Sequence, residues 1–176
     1  MDTSYALRQN ELVMNWRAPK ALLLQASLAG AAVLLPALCH LLGVPVYFLL
    51  PMHWPVLLAG LVYGWRGGLL VGLMAPLASF AFSGMPTATA LAYVGAELAA
   101  YGFATGFMRE VLHLKSYAAI AAAIIFGRIV YVAAFALFTG FKTPAWAMLS
   151  YGLAAAVLQA IILPSVAEKW TGKPQR

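Results

Sequence analysis

Two charged residues, Glu97 and Arg128, lie near the middle of long apolar stretches of the sequence. The chain around them is 64% hydrophobic and only 9% charged. An ionised side chain at bilayer depth is expensive, so it usually faces a protein interior, a partner or a cavity. We therefore consider two roles: a structural ion pair that joins two helices, or a polar site that holds a ligand.

Aromatic and polar residues at helical spacing could complete such a site. Tyr93 precedes Glu97 by four residues, and Tyr131 follows Arg128 by three, so each shares a helix face with its charge. Planar heterocycles suit this combination, because rings stack on aromatic side chains while a few polar groups fix orientation. The candidate substrate-binding residues are Met52, His53, Tyr93, Glu97, Arg128, Tyr131, Ser150 and Tyr151.

The motifs of most catalytic and metal sites are absent from the sequence. There is no GxxxxGK[ST] loop for ATP, and no HExxH motif or cysteine pair for a metal. The single aspartate, Asp2, lies in the N-terminal tail, so Ser/His/Asp chemistry has no acid within the membrane. We expect neither an enzyme nor a cofactor, and we attribute the net charge of +6 to membrane orientation rather than to nucleic acid binding.

The elements that must position these residues are long apolar helices. The mean hydropathy is +0.86, and the apolar runs suit helices that cross about 30 Å of hydrocarbon. A barrel would instead show strands of about 10 residues with alternating polarity. We predict an all-α membrane protein with six transmembrane helices, at 20–42, 54–65, 69–82, 88–108, 116–138 and 145–167.

The distribution of basic residues predicts the orientation of these helices. With six spans, one side of the membrane collects most of the Lys and Arg, and the other side has only Lys142. Basic residues in short loops stay cytoplasmic, so both termini should be cytoplasmic. We therefore divide the chain into a cytoplasmic segment at 1–19, a six-helix substrate-binding domain at 20–167 and a cytoplasmic tail at 168–176.

Small residues recur every four positions, which lets membrane helices approach closely. On the first helix, Ala26 pairs with Gly30 and Ser27 with Ala31. We predict that some of this face contacts a separate membrane partner. The remaining glycines are expected to pack helices within the bundle; they are Gly60, Gly64, Gly68, Gly72, Gly102 and Gly106.

Several short motifs resemble the substrate-binding S components of energy-coupling factor (ECF) transporters, over residues 20–164. The most specific is LLPMHWPVLLAG at 49–60, which resembles the loop into the second helix of a vitamin-uptake subgroup. The others are GLMAPL at 72–77, SGMP at 83–86, ELAAYG at 97–102 and GRIVY at 127–131.

The resemblance implies a prokaryotic cytoplasmic-membrane subunit that binds a vitamin or related micronutrient from outside. It also implies a membrane coupling protein with two cytosolic ATPases as partners, contacted through Ala26, Ser27, Gly30 and Ala31. In that family the loaded subunit topples in the membrane to release its substrate inward.

Two other functions remain open from the sequence alone. One is a self-sufficient small carrier or channel with Glu97 as a proton site, and the other is a membrane enzyme. The identity of the substrate is equally open. Nicotinate-like acids, thiamine or pyridoxine precursors and pieces of cobalamin all remain candidates for a site with one carboxylate and one guanidinium group.

Overall fold

The computed structural model of the chain describes residues 13–140 and 152–172, and every element in these ranges is a helix. Three of the helices, α1, α5 and α6, are long and apolar enough to cross a membrane, and so is α3 when it is counted through the break at Gly64 described below. The prediction of an all-α membrane protein is therefore confirmed for the described residues. The helices are α1 (Pro19–Leu41), α2 (Val46–Leu49), α3 (His53–Ser83), α4 (Ala88–Glu110), α5 (Ser116–Thr139) and α6 (Leu153–Thr171).

Helix α3 replaces the two helices predicted at 54–65 and 69–82, and it reverses direction at Gly64. Gly64 has φ 72° and ψ −169°, which breaks the helical geometry. A Cβ placed on Gly68 would lie 2.8 Å from the Cα of Gly60. In a continuous helix, residues eight apart are about 12 Å from each other, so the chain must fold back at Gly64. We call residues 53–63 the first arm and residues 65–83 the second arm.

The reversal occurs at Gly64, two residues before the gap at 66–68 that separates the two predicted helices. The carboxylate of Glu110, at the end of α4, accepts a hydrogen bond of 3.1 Å from the backbone N–H of Trp65. This bond satisfies an amide that the broken helix leaves without its usual partner. The reversal therefore depends on a residue 45 positions away in the sequence.

Helix α4 packs against both arms through glycine. A Cβ on Gly60 would lie 2.9 Å from the carbonyl oxygen of Gly102, and one on Gly72 would lie 2.5 Å from that of Leu98. A Cβ on Gly106 would overlap the backbone at Gly64. Only residues without side chains allow backbones to come this close, and the resulting van der Waals contact holds membrane helices together.

The N-terminal segment packs onto the bundle at the reversal. The N–H of Met14 donates a 2.7 Å hydrogen bond to the carbonyl of Val62, and Val13 is buried. The side chain of Gln25, in the first turns of α1, donates to the carbonyl of Trp16. Residues 13–18 are therefore part of the folded structure rather than a free cytoplasmic tail.

The two ends of the bundle differ in charge. At one end, which we call the cationic end, lie the start of α1, the reversal of α3, the α4–α5 connection and the end of α6. This end collects Arg17, Lys20, Arg66, Arg109, Glu110, Lys115, Glu168 and Lys169. The opposite end, which we call the cavity end, is formed by α2 and by the helix ends nearest to it.

Candidate functional site

Glu97 and Arg128 form an ion pair inside the bundle. Nη1 of Arg128 on α5 donates a 3.1 Å hydrogen bond to Oε1 of Glu97 on α4. Glu97 is 3% exposed and the side chain of Arg128 is 14% exposed. Their matching depth follows from the antiparallel path of α4 and α5, which the short connection at 111–115 dictates. The ion pair that the sequence left open as one of two roles is therefore present.

His53 is the third polar group of the site. It begins the first arm of α3, and its Nε2 lies 3.6 Å from Oε1 of Glu97. The edge of its ring meets Tyr101 at a centroid distance of 5.0 Å. His53 is only 6% exposed, yet neither ring nitrogen has a hydrogen-bond partner among the described residues. A buried polar group without a partner is costly, which points to a ligand contact.

A cavity of about 300 Å³ lies directly beside this triad. His53, Glu97 and Arg128 all line it, and Met52 and Tyr131 form part of its wall. The ion pair therefore does not fill the space between α4 and α5, and the two roles considered from the sequence are compatible. The remaining lining residues are Pro36, His40, Val46, Leu50, Pro51, Ser79, Met85, Pro86 and Val94.

Aromatic rings support one side of the cavity. The ring of Tyr131 lies under the guanidinium of Arg128 at 5.9 Å. Tyr93 meets the edges of Tyr131 and Phe135 at centroid distances of 5.7 and 5.0 Å. Tyr131 lines the cavity, but Tyr93 does not. Tyr93 therefore packs behind Tyr131, outside the lining of the cavity, and its contact with a ligand stays a prediction.

Several residues near the cavity that the sequence did not single out come from the second arm of α3 and the turn after it. Ser79 is buried on the second arm, and Met85 and Pro86 lie in the connection to α4. Met85 and Pro86 belong to the SGMP motif at 83–86, which indicates a turn but not a site. Ser79 lies outside this motif. All three residues reach the cavity because the reversal at Gly64 returns the chain to the depth of His53.

Two predicted site residues, Ser150 and Tyr151, lie outside the described residues, as does the predicted start of the last helix at 145–151. Gly152 directly precedes α6, and a Cβ on it would lie 2.5 Å from Nη2 of Arg128. The N-terminal end of α6 is therefore placed against the site. In residues 13–140 and 152–172, no three His, Cys, Asp or Glu side chains are grouped closely enough to hold a metal.

The predicted partner face on α1 is open on the surface of the described bundle. Ala26, Ser27 and Gly30 are exposed, and Ala31 is partly buried. A Cβ on Gly30 would meet no atom within 4 Å. Beside this face, a groove of about 740 Å³ runs between α1 and the second arm of α3; we call it the α1–α3 groove. Its walls are apolar except for Gln25.

Comparison with known proteins gives one family. Residues 20–170 match the family model described as ECF transporter, substrate-specific component. The curated proteins and the solved structures gave no match.

Proposed function

This chain belongs to the substrate-specific components of ECF transporters, and we propose that it captures a vitamin or related micronutrient from outside the cell. Members of the family are multi-pass membrane transport subunits rather than enzymes. They bind small molecules and pair with a membrane coupling protein and ATPases. The resemblance of the sequence motifs is thus confirmed at the level of the family, and the substrate and the mechanism are our proposal.

The observation that carries the proposal is the cavity beside His53, Glu97 and Arg128. Binding sites for small molecules are concave, mostly apolar and supplied with a few polar groups that fix orientation. This cavity has that composition, with walls of Val, Leu, Met and Pro around the polar side chains of His53, Glu97 and Arg128. Because ionisable groups at membrane depth mark substrate pathways, we assign the ion pair and His53 to ligand binding.

The charges at the ends of the bundle support an outward-facing cavity. Six Lys and Arg side chains of the described residues lie at the cationic end, which should face the cytoplasm. The cavity lies at the opposite end and would then face outside. In this arrangement the two arms of α3 lie side by side in the membrane, giving six embedded segments with both termini cytoplasmic. The protein would belong to the prokaryotic cytoplasmic membrane.

The open face of α1 supports docking to the membrane coupling protein. Exposed small residues let a second helix approach the backbone closely, which is where membrane helix association gains its energy. Ala26 and Gly30 both line the α1–α3 groove, so a partner helix could enter it at the predicted contact. Two cytosolic ATPases would supply the energy, and toppling of the loaded subunit would deliver the substrate inward.

The proposal is tested by the ligand that the purified protein retains. We expect native mass spectrometry of freshly purified wild-type protein to show a bound small molecule. Val94→Trp should abolish this species because Val94 lines the cavity and indole would fill it. The matched control is Leu23→Trp, since Leu23 is 71% exposed on α1, away from the cavity.

Two results would contradict ligand capture at this cavity: wild-type protein without any bound molecule, or equal retention by Val94→Trp and wild type. Transport is tested separately, by uptake of the retained molecule in cells with and without the ATPases. Uptake that continues without them would favour the self-sufficient carrier, in which Glu97 would act as a proton site.

A further inference from the structure

We infer that the cavity accepts an uncharged heterocycle of one or two rings that donates a hydrogen bond to His53. This inference rests on the proposed function, because it specifies the chemical class of the captured molecule. Three features of the site carry it: the charge balance, the unpartnered imidazole and the size of the cavity.

The charge balance of the site favours an uncharged ligand. Glu97 and Arg128 already neutralise each other at 3.1 Å, and they are the only charged residues among the described residues that line the cavity. An anionic ligand would leave the site with a net negative charge, whether it shares Arg128 with Glu97 or draws Arg128 away. A cationic ligand would leave a net positive charge. An uncompensated charge in a buried site is strongly unfavourable, so a neutral ligand is bound best.

The imidazole of His53 requires a donor from the ligand. Its Nε2 faces Oε1 of Glu97 at 3.6 Å, which is longer than a hydrogen bond but close enough for the carboxylate to favour an N–H there. A neutral imidazole with its proton on Nε2 has an acceptor lone pair on Nδ1. Nδ1 is buried and has no partner among the described residues. A hydroxyl or N–H group of the ligand would satisfy it.

The size of the cavity limits the number of rings. About 300 Å³ is the lower end of the range for small-molecule sites, and it holds about ten molecules of liquid water. One or two fused rings with short substituents fill this volume. The ring of Tyr131 on the wall offers a stacking surface, and Met52 and Met85 provide adaptable apolar contacts.

The charge preference is tested with probes that share a ring and differ in charge. One series is nicotinamide, nicotinate and 1-methylnicotinamide, which are neutral, anionic and cationic. A second is pyridoxine, 4-pyridoxate and pyridoxamine. Binding to the full-length protein in detergent is measured by calorimetry and by the shift in unfolding temperature. In at least one series we expect the neutral member to bind at least tenfold more tightly than either charged member.

Two outcomes would overturn the inference. The first is that, in every series that binds, a charged probe binds as tightly as its neutral counterpart. The second is the absence of binding in both series. Neither outcome removes the proposed function, which fails only when the purified protein retains no molecule or retains it despite a filled cavity.

The hydrogen bond to His53 is tested by removing each partner in turn. With nicotinamide as the probe, the donor-free analogue is N,N-dimethylnicotinamide; with pyridoxine, it is the ether in which all three hydroxyl groups are methylated. We expect wild-type protein to bind the analogue at least tenfold more weakly than the parent. His53→Leu should bind the two equally, and His53→Gln should restore part of the preference. Equal binding of parent and analogue by wild-type protein would show that His53 accepts no hydrogen bond from the ligand.

Discussion

The glycine-packed half of the bundle and its cavity half differ in what lies between the helices. Near the cationic end, Gly60, Gly68 and Gly102 bring three backbones into contact, and every residue from 55 to 64 is buried. At the cavity end, prolines and the ion pair instead line a cavity of about 300 Å³ between the helices. The same two helices, α3 and α4, supply both halves.

The two halves of α3 and α4 therefore differ in role: the glycine-packed half makes the bundle rigid, and the cavity half recognises the ligand. Close backbone packing fixes the position of α4 relative to both arms of α3, and so sets Glu97 and His53 at a common depth. The cavity half can then tolerate changes in its uncharged lining without loss of the fold. If the separation is real, substitutions in the first half should lower stability, and substitutions in the second should lower binding, with a loss of stability only where one charge of the ion pair is left alone. The predictions below test it in order of decreasing effect.

The largest effect is expected from Gly102→Val. A Cβ on Gly102 would overlap the carbonyl of Gly68, and a backbone cannot move aside as a flexible side chain can. We expect the free energy of unfolding to fall by at least about 3 kcal/mol, measured by thermal or denaturant unfolding in detergent. The control is Gly30→Val on α1, where a Cβ meets no atom within 4 Å. Similar losses in both variants would refute the special role of the glycine-packed half.

The next effect concerns the ion pair, where stability and binding can be separated by a double substitution. Glu97→Gln and Arg128→Gln should each weaken binding of the retained molecule more than tenfold. Each should also lower the free energy of unfolding by about 3 kcal/mol, because a buried charge is left alone. The double variant removes both charges and should regain most of the stability but not the binding. A double variant that binds like the wild type would make the pair purely structural.

A smaller effect should distinguish the two tyrosines beside the pair. Tyr131 lines the cavity, whereas Tyr93 contacts only the far side of the same aromatic cluster. Loss of a ring contact is worth about 1 kcal/mol, so Tyr131→Leu should weaken ligand binding about fivefold. Tyr93→Leu should have at most half that effect. Calorimetric titration of both variants measures the order, and a stronger effect from Tyr93 would place the ligand elsewhere.

The smallest effect on either half is expected from Gly30→Leu. The added side chain points to open space beside the α1–α3 groove, so stability and ligand binding should remain within twofold of the wild type. Co-purification with the membrane coupling protein should fall sharply, because the helix can no longer be approached closely. Ala118→Leu, at an exposed position on α5, is the control. Normal assembly of the Gly30 variant would exclude this face as the contact.

Most of the fold could be predicted from the sequence because span length and apolarity are local properties. The bounds of α4 and α5 differ from the predicted helices at 88–108 and 116–138 by at most two residues. The break of α3 lies at Gly64 rather than between the two predicted helices, and no local pattern in the sequence connects Trp65 to the Glu110 carboxylate that it contacts there. The short helix α2, within an apolar loop, was not predicted either.

The site residues that could be predicted from the sequence are those with charged or imidazole side chains. Glu97, Arg128 and His53 were identified because charged and imidazole groups are rare in such a chain, and the structure brings the three together. Serine and methionine are common in membrane helices and turns, so no feature of the sequence indicated Ser79 and Met85 as site residues. Their role depends on which face of the second arm meets the cavity, and periodicity cannot show this when most faces are apolar.

The brevity of the first arm of α3 has a consequence for how the protein enters the membrane. Residues 53–63 extend only about 16 Å, too little to cross the hydrocarbon unaided, and the arm is enclosed by protein on all sides from residue 55 onward. While the ribosome has made only the first 87 residues, the surface of α4 that receives this arm does not yet exist. We therefore expect the nascent hairpin to stay at the translocation channel until α4 emerges, and the three segments to pass into lipid as one unit.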